Sequence, residues 1–411
     1  MPERDVCAGV DWAKDAHEVL VADGEGERLW GETIAHNEAG IGKLCSTLVT
    51  LGVARVAVER PDGLLIERLL DAGLTVLAIH PNKVAAARDR FRAAGGKSDR
   101  FDAFVLCELA RTDSHRFRAL SPDSDQTKAL RALTRGREVL VEQRVALCNQ
   151  LRAELERFWP GATQIFQDLD SPISLAFLER YPSPTDAHRL GEKTLARFLA
   201  RHHYCGRKDP SELLAKLRAA PAGRAGEIEA DTRRGLVLAL VAALRPIVEQ
   251  IRLLTSEIAH AVRAHPDGEI FLSFFKSPDS VICAATLLAE IGDDRARYPT
   301  AEHLAADAGM SPVAVESGPR KDACFRRGCD HRLRQATGTL ADATRHWHPW
   351  AQDKYAAARA RGHDHPRAIQ TVGRAWCRVL WRCWQDGVAY DPARHRGLQQ
   401  HTKIVIPNLK G

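Results

Sequence analysis

Val6-Cys7-Ala8-Gly9-Val10-Asp11 and Arg55-Val56-Ala57-Val58-Glu59 are two short apolar runs, each closed by an acid. Runs of this length, without polar alternation, predict strands buried on both faces of a sheet, so each acid is expected at the C-terminal tip of a central strand. A third acidic element follows in Lys97-Ser98-Asp99-Arg100-Phe101-Asp102-Ala103. Ser98 is a good N-cap there, and Asp99 and Asp102 stand three apart at the start of the helix it opens. Positions i and i+3 share a helix face, so both carboxylates can point the same way. Any one of these acids alone reads as a solvated turn residue or a cap. As a set, Asp11, Glu59, Asp99 and Asp102 are all-oxygen donors of the kind that hard divalent ions, Mg²⁺ or Mn²⁺, require, and phosphoryl transfer on a nucleic-acid strand is the chemistry such ions serve. Acids at strand tips and in first turns are expected outside the core, so changing Asp11 or Asp102 to Asn should keep the fold.

Around these runs the pattern reads strand 5–11, strand 17–23, strand 28–35, helix 38–51, strand 55–59, helix 62–72, strand 74–79, and helices 81–93 and 99–111. Three strands in a meander followed by α/β alternation is the ribonuclease-H-like order, which makes 1–120 an α/β catalytic domain. The chain has 411 residues, enough for two or three domains. A net charge of +6 permits a nucleic-acid partner without demanding one. No apolar stretch is long enough for a membrane span and no basic-then-apolar leader is present, so no membrane partner is expected. The ten cysteines are scattered through helical and strand patterns, which fits reduced thiols in the cytoplasm.

Residues 121–268 read as helical. From Gln126 to Trp159 the positions Leu130, Leu133, Leu140, Leu147, Leu151 and Phe158 keep an approximate a/d rhythm, and Leu244, Ile247, Ile251, Leu254, Ile258 and Val262 do so within a helix over 227–264. Two such stripes predict an antiparallel coiled-coil arm flanking a small helical insert, with Arg137, Arg144 and Pro246 interrupting the seam. Either the arm joins subunits or it is a bundle packed on the catalytic core.

From 269 to 390 a mainly α domain is expected, followed by a tail over 391–411. Helices are predicted over Val281–Ile291 and Thr300–Ala308, then an irregular segment from Gly309 to Gly318 and a basic run of Arg320, Lys321, Arg326, Arg327, Arg332 and Arg334. Such a run is a phosphate-contacting surface in a nucleic-acid-binding protein and otherwise a solvated face. Ser317, beside Gly318 and close to these arginines, reads either as a turn residue or as a nucleophile toward a phosphodiester. Cys324, Cys329, His331, His346 and His348 match no common zinc spacing. Trp376, Trp381 and Trp384 on the last helix are expected in its core, with stacking on bases as the alternative.

Taken in order, these motifs resemble the DEDD transposases of bacterial insertion sequences. The resemblance runs from about residue 5 to 385. It is carried by Gly9-Val10-Asp11-Trp12-Ala13-Lys14 with His17, by Val58-Glu59, by 97–103, by 284–293, by Ala308-Gly309-Met310-Ser311-Pro312, by Glu316-Ser317-Gly318, and by Arg326-Arg327-Gly328 leading to Leu333-Arg334. It implies a RuvC-like N-terminal domain whose metal tetrad is Asp11, Glu59, Asp99 and Asp102, and a C-terminal domain whose nucleophile is Ser317. It further implies donor and target DNA as substrates, a bridge-type guide RNA, a homodimer or homotetramer, and a cytoplasmic, nucleoid-associated setting. The sequence departs from the family at Ser277-Pro278-Asp279-Ser280, where a glycine-rich turn is usual, and at Cys329, where Asn is common. Two rival readings stand beside this one. A junction-resolving nuclease would use the tetrad alone, and an inactive relic of a mobile element would only bind nucleic acid.

Overall fold

The computed structural model describes residues 5–59, 63–91, 98–221, 223, 225–277, 280–317 and 320–395. The chain forms two compact units, 1–124 and 125–411. In the first, strands β1 (Val6–Trp12), β2 (Ala16–Ala22) and β3 (Arg28–Ala35) lead through helix α1 (Glu38–Thr50) to β4 (Val53–Val58). Helix α2 (Leu64–Asp71), strand β5 (Val76–Ala78) and helices α3 (Pro81–Phe91) and α4 (Asp99–Thr112) follow. The sheet order is β3-β2-β1-β4-β5. β1 pairs antiparallel with β2 and parallel with β4, and β4 is parallel to β5. The two runs quoted first are therefore the adjacent central strands, and their unbroken apolarity follows from burial on both faces.

Alternation along those strands sorts the core into two layers. Val6, Ala8 and Val10 of β1 and Val56 and Val58 of β4 pack with Ile41, Leu44 and Leu65 of α1 and α2. Cys7 and Ala57 face the other way, toward Val84 of α3 and Val105, Leu106 and Cys107 of α4. Gly9 belongs to this second face. A Cβ there would lie 2.1 Å from the Ala103 carbonyl oxygen and 2.3 Å from the Cys107 nitrogen, so only glycine lets α4 lie directly on β1. The Cys107 thiol donates to the Cys7 carbonyl at 3.3 Å, which fixes the register of that contact.

The second unit is built on two long helices, α5 (Asp125–Phe158) and, after the short helices α6 (Ala162–Ile165), α7 (Pro172–Arg180), α8 (Glu192–Arg201) and α9 (Pro210–Ala219), α10 (Glu227–Ala264). Thr127 meets His265 (2.8 Å), Arg137 donates to Thr255 (2.8 Å), and Arg233 pairs with Glu154, so the helices run antiparallel. Two separate cores sit at the ends of this pair. Leu151 and Leu155 with Val237, Val241 and Leu244 close one around α6–α9. Leu130 with Ile258 and Val262 belongs to the other. Between Thr134 and Leu151 no α5 side chain is fully buried. Arg137, expected to interrupt the seam, instead bridges it, and α10 continues through Pro246, which faces outward.

That second core is completed by α11 (Gly268–Leu272), α12 (Val281–Ile291), α13 (Ala301–Asp307), the hairpin β6 (Val313–Ser317) and β7 (Arg320–Cys324), α14 (His331–Thr344), α15 (Pro349–Ala360) and α16 (His365–Asp386). The hairpin corrects two expectations: the segment up to Ser317 and the first basic residues form paired strands, not irregular loop. Trp376 and Trp384 are fully buried, and Trp381 donates to the Tyr298 carbonyl at 2.7 Å, so the tryptophans serve the core. All ten cysteines are free thiols. Among the described residues, no helix is long and apolar enough to cross a membrane.

Candidate active site

Asp11 is the penultimate residue of β1, and Glu59 directly follows β4. Val10 is registered with Val58, so the two acids emerge side by side from neighbouring parallel strands. By alternation both share a face with Gly9 and Ala57, the face that α3 and α4 cover. Both are half-buried. Ser98 caps α4, accepting from the Phe101 N–H at 3.2 Å, and this starts the helix where its first turn meets the sheet. Because the turn from Ala103 to Cys107 lies on Gly9, Asp102 just ahead of it stands toward the strand tips. Asp99, three residues earlier, is about 4.5 Å further along the helix.

The two α4 acids differ in environment. Asp99 is exposed, whereas Asp102 is 2% exposed. Arg88 of α3 grips Asp102 with both arms of its guanidinium, Nε to Oδ1 at 2.6 Å and Nη2 to Oδ2 at 2.7 Å. The expectation that Asp102 lies outside the core is thus corrected: helix–sheet packing at Gly9 draws the first turn of α4 inward. The Asp102 hydrogen bonds raise the Arg88 pKa above its ordinary value, and the charges of Glu59 and Asp11 raise it further. Three acids from three elements therefore bear on one cation.

The donor set suits a hard divalent ion in kind, since it is all carboxylate oxygen and its centre already accommodates a positive group. In closeness it does not yet form a ligand shell. Among the described residues no group of three or more His, Cys, Asp or Glu side chains could hold a metal. Arg88 occupies one acceptor site on each Asp102 oxygen, which leaves one lone pair on each for an ion. Arg88 has no distinguishing mark in Ala87-Arg88-Asp89-Arg90, so sequence reasoning passed over it. At the neighbouring ends of β1 and β2, His17 is fully buried and its Nε2 lies 2.8 Å from His36 Nδ1. Burial, with the His36 charge second, lowers the His17 pKa to about 4.

In the second unit, Ser317 is the last residue of β6, registered with Arg320 of β7. The side chains of Ser317, Arg320 and Lys321 lie outside the described residues, as do Lys97, Pro278, Asp279, Gly318 and 396–411. The other basic candidates divide. Arg327 is exposed, and Arg326 donates to the Ser311 carbonyl at 3.2 Å. Arg332 pairs with Glu138, and Arg334 donates to the Arg326 carbonyl and stacks 4.5 Å over Phe325. Arg332 and Arg334 thus hold the hairpin's base and α14 in place. Ser311 is buried and lies 3.4 Å from Glu302. His348 bonds to the Tyr390 hydroxyl at 2.8 Å within an aromatic cluster.

Residues 8–160 match the family model for DEDD transposases of IS110 type, and residues 280–356 match the model described as "Transposase IS116/IS110/IS902 family". A protein named for the mini-circle transposase of IS117 from Streptomyces coelicolor is 32% identical over 404 residues, covering 95% of this chain and 96% of that one. The insertion element IS900 protein of Mycobacterium paratuberculosis is 29% identical, covering 94% and 98%, and the IS110 protein of Streptomyces coelicolor is 26% identical, covering 96% and 97%. Among solved structures, T. thermophilus RuvC in complex with Holliday junction substrate aligns with 28% of this chain and 99% of its own, at 16% identity and a TM-score of 0.22.

Proposed function

The chain belongs to the IS116/IS110/IS902 family of transposases, and from that premise we propose a DNA recombinase whose carboxylate centre is Asp11, Glu59, Asp99 and Asp102 and whose nucleophile is Ser317. What supports the centre is that Asp102 is bonded to Arg88 while Glu59 and Asp11, at the neighbouring strand tips, raise the pKa of the same guanidinium through their charge. A divalent ion, Mg²⁺ or Mn²⁺, held by the four acids would stabilise charge developing on the phosphate oxygens. Arg88 holds Asp102 in one orientation through its two hydrogen bonds. Ser317 Oγ attacks phosphorus, the bond from phosphorus to one strand oxygen breaks, and the serine proton ends on the strand hydroxyl that departs. The phosphoseryl ester conserves the energy of the phosphodiester, so attack by a strand hydroxyl on that ester rejoins DNA without an external energy source.

In this reading 1–120 is the RuvC-like catalytic domain, 121–268 the arm with its helical insert, 269–390 the serine-bearing domain and 391–411 a tail. The arm builds a homodimer or homotetramer. Support comes from Val139, Val145, Leu236 and Leu253, large apolar side chains that stay between 38% and 48% exposed on α5 and α10. A bridge-type RNA pairing with donor and target DNA selects the sites, a step that rests on kinship and on the basic charge of the chain. In denatured reactions on labelled DNA, wild type should yield a protein–DNA adduct that Ser317→Ala lacks, and Asp11→Asn should abolish cleavage. An adduct persisting in Ser317→Ala, or products with only free hydroxyl and phosphate ends, refutes the serine mechanism and leaves a plain nuclease.

A further inference from the structure

Against the base of the β6–β7 hairpin lies a cavity of about 400 Å³, walled by Pro312 and Ala323 on the hairpin side and by residues of α15, α16 and the turn between them. Five cations line it: Lys354, Arg361, Arg367, Arg374 and Arg378. Arg374 and Arg378, one turn apart on α16, share the Glu302 carboxylate at 2.8 and 2.6 Å. Their hydrogen bonds, Arg378 first, hold Glu302 below the usual carboxylate range, so it stays ionised as a strut for both. The other three are not neutralised in this way. Lys354 stacks 5.1 Å over Trp350, and among the described residues Arg361 and Arg367 have no carboxylate partner for their guanidinium groups. Asp364 is the remaining acid at the rim. It accepts the Arg367 backbone N–H at 3.0 Å as the cap of α16.

A solvated basic face is convex and laced with ion pairs. Here five cations line a concave wall that, among the described residues, carries no acid of its own, Glu302 standing behind two of them and Asp364 beside it, and two of the five are exposed, uncommitted guanidinium forks. Such forks match the paired oxygens of phosphate, and the excess charge excludes cations and disfavours apolar ligands. The hairpin fixes where a ligand would lie relative to Ser317. Ala323 is registered with Ala314, and Ser317 with Arg320, so three residue steps along the strand run from the cavity wall to the serine. That is about 10 Å, or roughly three nucleotides at the 3.4 Å rise of one strand of duplex DNA.

We propose that this cavity grips backbone phosphates of the DNA strand attacked by Ser317, about three nucleotides from the point of attack. The inference rests on the reading of Ser317 as nucleophile. It gives the α15–α16 wall the task of setting the strand's register on the hairpin.

Fluorescence anisotropy of a labelled DNA duplex across a salt series tests it. Arg361→Ala combined with Arg367→Ala should reduce the slope of log affinity against log salt by about two contacts, which is an affinity loss of about 60-fold at 0.1 M that disappears near 1 M. Both side chains are exposed, so the fold should be untouched, and Arg361→Lys combined with Arg367→Lys should keep the wild-type slope. Ser317→Ala should bind like wild type. If Ser317→Ala still forms the covalent adduct while the Ala pair loses its slope, the nucleophile is wrong and the phosphate grip stands. Equal slopes for the Ala pair and wild type, or a loss confined to a structured RNA, would overturn the grip itself.

Discussion

Replacing Arg88 by Ala leaves the carboxylate of Asp102 where it is, 2% exposed, without either of its charged hydrogen bonds. Breaking a buried ion pair from one side costs about 3–5 kcal/mol, because the surviving charge is left uncompensated. The Arg88 side chain is 24% exposed, so some of that cost is relieved by water, and a value of about 3 kcal/mol is expected. Changing Asp102 to Asn in the same background removes the orphaned charge. The double variant should therefore lose much less than the two single variants together. The chain has two units, so a global midpoint is a poor readout, and native-state hydrogen exchange of the β1 and α4 amides is the suitable assay. Added Mg²⁺ should restore protection in Arg88→Ala, since the acids that lost one cation would accept another. Protection within 1 kcal/mol of wild type in the metal-free single variant would refute the reasoning. So would additive losses in the double variant, because the pair would then not act as a unit.

Three further outcomes follow from the same geometry. With its folded pKa near 4, below the ordinary 6.5, His17 favours the folded state fully above pH 6.5; as pH falls toward 4 the unfolded chain takes up the proton first, and stability drops by about 3 kcal/mol. Hydrogen-exchange protection of the β1 and β2 amides, compared at pH 7 and 4.5, should show this drop in wild type and a smaller one in His17→Gln. Gly9→Ala puts a methyl into the Ala103 carbonyl, so β1 and α4 must part, and a loss of about 1–3 kcal/mol with faster exchange in α4 is expected; unchanged exchange would show that the contact tolerates a side chain. Val139→Glu with Leu253→Glu should dissociate an oligomer without unfolding it, and an unchanged sedimentation coefficient would remove these two exposed positions from the assembly surface.

The sheet was legible because its signals are local. The apolar runs ending at Asp11 and Glu59 need only buried-strand chemistry, and the cap at Ser98 needs only its own first turn. The β6–β7 hairpin was not legible, since Val313–Ser317 is short and Arg320-Lys321-Asp322 is poor strand material; pairing with a neighbour makes it a strand. Asp102 and Arg88 were opaque for a different reason. Nothing in 97–103 says which side of the first turn faces β1; that is decided by the missing side chain of Gly9, about ninety residues away. The basic cavity escaped because its cations come from two helices and the turn between them, and its strut, Glu302, from a third helix. Arg137 looked like a flaw in an apolar stripe because its partner, Thr255, is distant in sequence.

The antiparallel helix pair interleaves the two cores of the second unit along the chain. The core around α6–α9 is continuous in sequence, while the other takes Leu130 from the start of α5 and its remaining members from Ile258 onward. On the ribosome, Leu130 emerges about 130 residues ahead of its partners. At bacterial elongation rates of roughly 5–20 residues per second, that face of α5 waits between about 6 and 26 seconds for cover. The nested core can close during that interval, aligning α10 against α5 before Ile258 and Val262 arrive. The helical insert thus acts as an internal template for synthesis, and shortening it should expose nascent chains to aggregation before it affects the finished protein.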